Sequence, residues 1–176
     1  NAVCRPAGIV RSIKTNYSQH NGPSPFCYPK GAGMKNDIKL CDGITFENLN
    51  PLNFALKNAY ISNLFSTGLM IIPRLAELAT FTIEKGFLSK QYINDNYKEA
   101  KQDMYRHGEG LALELRFDVW NKEEAIMCAY KLYQEIAENI KVEIDCDKER
   151  FRVYRNVPKK MVLIFEDEKS TLIAKD

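Results

Sequence analysis

The chain has 176 residues, 45% of them hydrophobic and 27% charged, with a formal net charge of +2. That is the size and make-up of one globular domain with a sizeable core. A charge so near balance excludes a polyelectrolyte drawn to nucleic acid by charge alone, and no apolar run is long enough to span a bilayer.

Residues 1–50 carry four of the seven prolines and five of the nine glycines, many of them in "NGPSPFCYPKGAG" at 21–33. Proline without an amide donor and glycine without a Cβ sustain neither a helix nor a central strand. The expectation is a loop-rich, extended N-terminal arm or cap over residues 1–49, ordered against neighbouring protein subunits. "GAG" at 31–33 lacks the Lys-Ser/Thr of a phosphate loop. The five cysteines, Cys4, Cys27, Cys41, Cys128 and Cys146, include no CxxC pair, which argues against a zinc knot and a full disulfide framework. A bridge among the first three stays open, depending on whether the compartment is oxidising.

Residues 50–176 are expected to form an α+β domain. "NPLNFALKNAYISNLFS" places Leu52, Ala55, Leu56, Ala59 and Asn63 at helical spacing behind Pro51. "PRLAELATFTIEKG" runs from Pro73 to Gly86, a start and stop for a short helix. A polar stretch follows, and then "LALELRF" at 111–117. Here Leu111, Leu113, Leu115 and Phe117 alternate with Ala112, Glu114 and Arg116, the period of a strand. Asn121 and Glu124 form a capping-box-like start for a helix with Ala125, Cys128, Leu132 and Ile136 on one stripe, running to about Asn139. Cys128 is therefore expected as a buried thiol. Strands at 140–145, 150–155 and 161–165, joined by "DCDKE" and "NVPKK", complete an antiparallel meander. The fold class expected is α+β, with helices packed on a small antiparallel sheet.

His107 opens the run "HGEGLALE". With Gly110, Ala112 and Glu114 it gives His, Gly three on, Ala five on and a carboxylate seven on. This resembles the HxxGxAxD signature of the zinc D,D- and L,D-peptidases that cut peptidoglycan cross-bridges, whose fold is shared with hedgehog-type domains. "EKGFLSKQYIN" is similar to the segment that precedes the histidine in that family, through Gly86, Phe87, Ser89 and Asn94. The resemblance covers roughly residues 50–155. It implies a zinc site with His107 and Glu114 as ligands, but the chain departs from the pattern. Tyr105 stands in the family's first-ligand context, Leu88 replaces an arginine, and no histidine follows His107. Arg152 and Arg155 lie in the strand that should carry the last ligand. Catalytic zinc needs three protein ligands and an open position for water.

Three functional expectations follow. The leading one is a non-catalytic binding or structural module on a degenerate peptidase-like fold, without a cofactor. It would belong to a phage particle or cell-surface assembly, in a virion or extracellular setting. The alternative is an active zinc-dependent peptidoglycan peptidase, with His107, Glu114 and His20 as ligands and Glu143 or Asp145 as general base. Glu143, Asp145 and Asp147 lack the glycine and terminal glutamate of a calcium loop. The third is a nucleic-acid-binding accessory protein using Arg150, Arg152, Tyr154 and Arg155, basic residues interleaved with an aromatic. Such a pattern equally suits an edge strand protected by charge.

Overall fold

The alternating run after Gly110 becomes a central strand of a mixed sheet. The computed structural model describes residues 3–4, 38–97 and 102–176. Nine strands form there: β1 (Val3–Cys4), β2 (Lys39–Cys41), β3 (Ile44–Thr45), β4 (Phe81–Lys85), β5 (Ala112–Phe117), β6 (Ile140–Asp145), β7 (Arg150–Arg155), β8 (Met161–Glu166) and β9 (Lys169–Lys175). Three α-helices, α1 (Asn58–Ala76), α2 (Lys90–Asn96) and α3 (Lys122–Glu135), are joined by 3-10 helices at Phe46–Leu49 and Gln102–Glu109. The body of the main sheet has six strands in the order β4-β5-β7-β6-β8-β9, with the short β1 outside β4; β2 and β3 pair separately. The architecture is α+β, as the patterning predicts.

One face of the sheet holds the core. Leu113, Leu115 and Phe117 of β5 meet Val142 and Ile144 of β6, Phe151 and Val153 of β7, and Val162 and Ile164 of β8. Above them lie α1, through Leu64, Phe65, Ile71, Ile72 and Leu75, and α3, through Ala125, Cys128, Ala129 and Leu132. Each buried Leu or Ile contributes about 2 kcal/mol by leaving water. The Asn121 side chain accepts the Glu124 N–H and starts α3 as predicted, and Cys128 is buried. Residues 38–49, grouped by composition with the arm, belong to this same core: Leu40, Ile44, Phe46 and Leu49 are buried in it. Cys41 is disulfide-bonded. Within the expected arm Val3–Cys4 also pair with β4, and the other residues before 38, Cys27 among them, lie outside the described residues.

Several elements differ from expectation. The helix after Pro51 begins only at Asn58, because Asn50 captures the backbone first. Its carboxamide donates to Phe54 O at 2.9 Å and accepts from Phe54 N at 3.1 Å, closing a loop that competes with a helical turn. Pro73 does not start a new helix; it sits in the last turn of α1, and "FTIEK", rich in β-branched residues, forms β4. The expected meander is rearranged. β6 and β7 form the anticipated hairpin, but residues 156–160 carry the chain past the start of β6, so that β8 pairs parallel on its other side. The sheet is thus not wholly antiparallel. The closing strand β9 has no glycine to announce its turn. Asp167 and Glu168 adopt φ of 51° and 60°, and their amides donate to the Asp147 carboxylate.

Candidate functional site

The second face of the sheet is lined by charge. Strand alternation sends Glu114 of β5, Lys141, Glu143 and Asp145 of β6, and Arg150, Arg152 and Tyr154 of β7 away from the helices. Register then brings them into rows. Glu114 faces Arg152, and Arg152 faces Glu143. A bulge in β4 between Ile83 and Lys85 adds Lys85 opposite Glu114. The row therefore reads Lys85, Glu114, Arg152, Glu143, with alternating sign across four adjacent strands.

The contacts are close. Glu114 Oε1 lies 2.8 Å from Lys85 Nζ and its Oε2 lies 2.8 Å from Arg152 Nε. Arg152 Nη2 donates to Asp145 Oδ2 at 2.9 Å, and Nη1 lies 3.6 Å from Glu143 Oε2. Glu143 Oε1 and Asp103 Oδ2 share Lys141 Nζ, at 2.6 and 2.7 Å. Burial opposes ionisation of Glu114, yet hydrogen bonds from Lys85 and Arg152 outweigh it and hold its carboxyl below the ordinary value. Burial likewise disfavours the charge on Arg152, and Glu114 and Asp145 more than restore it. These side chains floor a cleft of about 490 Å³ walled by Tyr97, Met104, Tyr154 and Phe165.

His107 has a different task. It sits near the end of the 3-10 helix Gln102–Glu109, 1% exposed, with its ring edge-on to Tyr154. Its Nδ1–H donates to Gly86 O at 2.7 Å, while Leu88 N donates to His107 O, so the residue ties this helix to the segment after β4. Burial pushes its pKa down to about 4, which keeps the ring neutral at physiological pH.

The structure gathers Glu114, Glu143, Asp145 and Arg152 into one cluster, with Arg150 at its margin, 3.9 Å from Glu114. The described members of the expected zinc set, His107 and Glu114, do not fit the ion as they stand. Both Glu114 oxygens are engaged by cations of this chain, which removes the carboxylate from the set; the His107 Nδ1–H bond to a carbonyl is one that a His ligating through Nε2 would also make, and it does not decide the matter. His20 lies outside the described residues. Among the described residues no three His, Cys, Asp or Glu side chains form a group able to hold a metal ion. The basic patch is split as well: Arg150, Arg152 and Tyr154 share the charged face, whereas Arg155 turns to α1 and bonds Ser66 and Thr67. Lys85, Lys141 and Asp103 are site residues that sequence reasoning missed. Lys85 was hidden by reading β4 as helix, and Asp103 by its place in a polar stretch without periodicity.

Fold and site together define an α+β domain with a cleft of mutually paired charges on the open face of its sheet. Comparison with protein families, with curated proteins and with solved structures finds no match to this chain. No helix among the described residues is long and apolar enough to cross a membrane.

Proposed function

We propose that this chain is a non-catalytic binding or assembly module, on a peptidase-like scaffold whose cleft is closed by its own guanidinium. One observation carries the reading. Arg152 lies among Glu114, Glu143 and Asp145, the very carboxylates that hydrolytic chemistry would need as metal ligand and general base. Glu114, bound to the guanidinium and held below its ordinary pKa, is a poor proton acceptor, and both of its oxygens already face cations of this chain. The disulfide at Cys41 suits an oxidising setting such as a cell surface or a virion. Work in such an assembly rests on contact with neighbouring subunits, to which the N-terminal stretch ahead of residue 38 contributes.

Elemental analysis of the purified chain, beside an assay for new amino groups released from peptidoglycan, tests this. The expected result is no stoichiometric zinc and no turnover with added zinc. Bound zinc that is lost in His107→Ala, or turnover abolished by a chelator, refutes it.

A further inference from the structure

On the helix side of the same strand, Arg155 presents a different kind of site. Its side chain is 10% exposed, and its inner nitrogen Nη1 is seated against α1, donating to Thr67 Oγ1 at 3.0 Å and Ser66 Oγ at 3.1 Å. The outer edge of the guanidinium is a fork. Nε donates to Glu138 Oε2 at 3.0 Å and Nη2 to Glu138 Oε1 at 2.9 Å. The two partners are held unequally. Arg155 is fixed by a strand and a helix, whereas Glu138 lies in the segment between α3 and β6 with its side chain 49% exposed. Beside the pair lies a cleft of about 540 Å³ whose walls include the carboxamides of Asn63, Asn139 and Asn156 and the apolar Leu111 and Val157.

We propose that this cleft is a binding site for a small carboxylate-bearing ligand, which Arg155 takes in a bidentate grip in place of Glu138. The guanidinium is already desolvated and oriented by folding, so a ligand does not meet that cost again. Glu138 acts as the internal stand-in. Its departure returns a half-exposed carboxylate to water, which offsets part of the cost of opening the fork. The flat fork matches the two coplanar oxygens of a carboxylate, as the contact with Glu138 itself demonstrates. Asn63 and Asn139, whose amides donate to Glu109 O and Pro158 O, and Asn156 give the walls a polar character that suits a polar ligand body. This site is on the opposite face of β7 from the Arg152 cluster, and it does not depend on the function proposed above.

The test titrates the full chain with succinate and, separately, with inorganic phosphate, following the Arg155 Nε–H resonance and the heat of binding. Removing the internal competitor in Glu138→Gln should tighten succinate binding about tenfold. Arg155→Lys in that background should abolish it, since an ammonium cannot supply the fork. If Glu138→Gln proves poorly folded, the wild-type chain decides: a saturable shift of the Arg155 resonance with succinate supports the site. No shift at succinate concentrations well above those used for the variant overturns it. Binding of phosphate without succinate overturns the carboxylate assignment, and equal succinate binding by Arg155→Lys overturns the role of the fork.

Discussion

Arg152 and Glu114 are register partners across the β5–β7 pair, and the guanidinium Nε meets the carboxylate Oε2 at 2.8 Å. Glu114 is 5% exposed at its side chain and Arg152 17%, so neither is screened as a surface pair would be. Breaking such a pair from one side leaves a buried charge with part of its compensation gone, here Glu114 with Lys85 as its remaining close cation. Arg152→Ala should therefore destabilise the fold by about 3 kcal/mol at neutral pH, measured by urea unfolding. The deficit should narrow in acid, where the carboxylates that have lost the guanidinium take up protons. A deficit independent of pH would mean that packing of the side chain, and not its charge, is what was lost.

The same substitution should not create an ion site. Glu114, Glu143 and Asp145 each reach Arg152, yet among the described residues no three such side chains form a group able to hold a metal ion. Manganese or calcium should therefore leave the unfolding temperatures of Arg152→Ala and of the parent chain equally unaffected. A rise confined to the variant would show that the carboxylates close on an ion once the guanidinium is gone.

His107 makes stability depend on pH. Its pKa in the folded chain is pushed down to about 4 by burial, against 6.5 for the free side chain. The unfolded state therefore binds the proton more readily, and stability is lost as pH falls from 6.5 toward 4, by on the order of 3 kcal/mol in total. Glu114, whose pKa is lowered below 4.5, contributes stability that is lost only at lower pH. In His107→Asn, which keeps a donor for Gly86 O, the slope between pH 6.5 and 4 should flatten, whatever the variant's absolute stability. An unchanged slope would assign the pH dependence to another group.

Two glycines should resist substitution. Gly110 has φ of +73°, and a Cβ there would stand 2.7 Å from Tyr60 O. Left-handed strain and the clash together predict a loss of roughly 2–4 kcal/mol for Gly110→Ala. At Gly86 a Cβ would lie 1.9 Å from Leu49 O, so Gly86→Ala must displace backbone and should be the more damaging of the two. Thermal unfolding of both variants checks the order. A stable Gly86→Ala would show that residues 38–49 do not lie against this segment.

Legibility in the sequence followed the range of the forces involved. The β6–β7 hairpin, the start of α3 and the core face of β5 all rest on local alternation, helical spacing or a capping side chain, and they appear where the pattern places them. Local signals misled where a tertiary partner overrode them. "FTIEK" sits in a stretch with plausible helix boundaries, yet pairing with β5 makes it a strand. β9 needed Asp147, twenty residues upstream of Asp167, to steady its turn. The candidate site shows the same division. Glu114, Glu143, Asp145 and Arg152 stood out as charged residues at alternating positions, but no spacing along the chain says which carboxylate meets which cation.

The sequence by itself determined the class of this fold and the presence of charge on one face of its strands, because side-chain period and burial are properties of neighbouring residues. Only the tertiary structure decided what that charge does. Strand register and the β4 bulge set Lys85, Glu114, Arg152 and Glu143 in one row of alternating sign. Burial did the same for His107, making it a neutral tie between two segments. Both outcomes depend on distances between parts of the chain far apart in sequence, and those distances exist only once the sheet has closed.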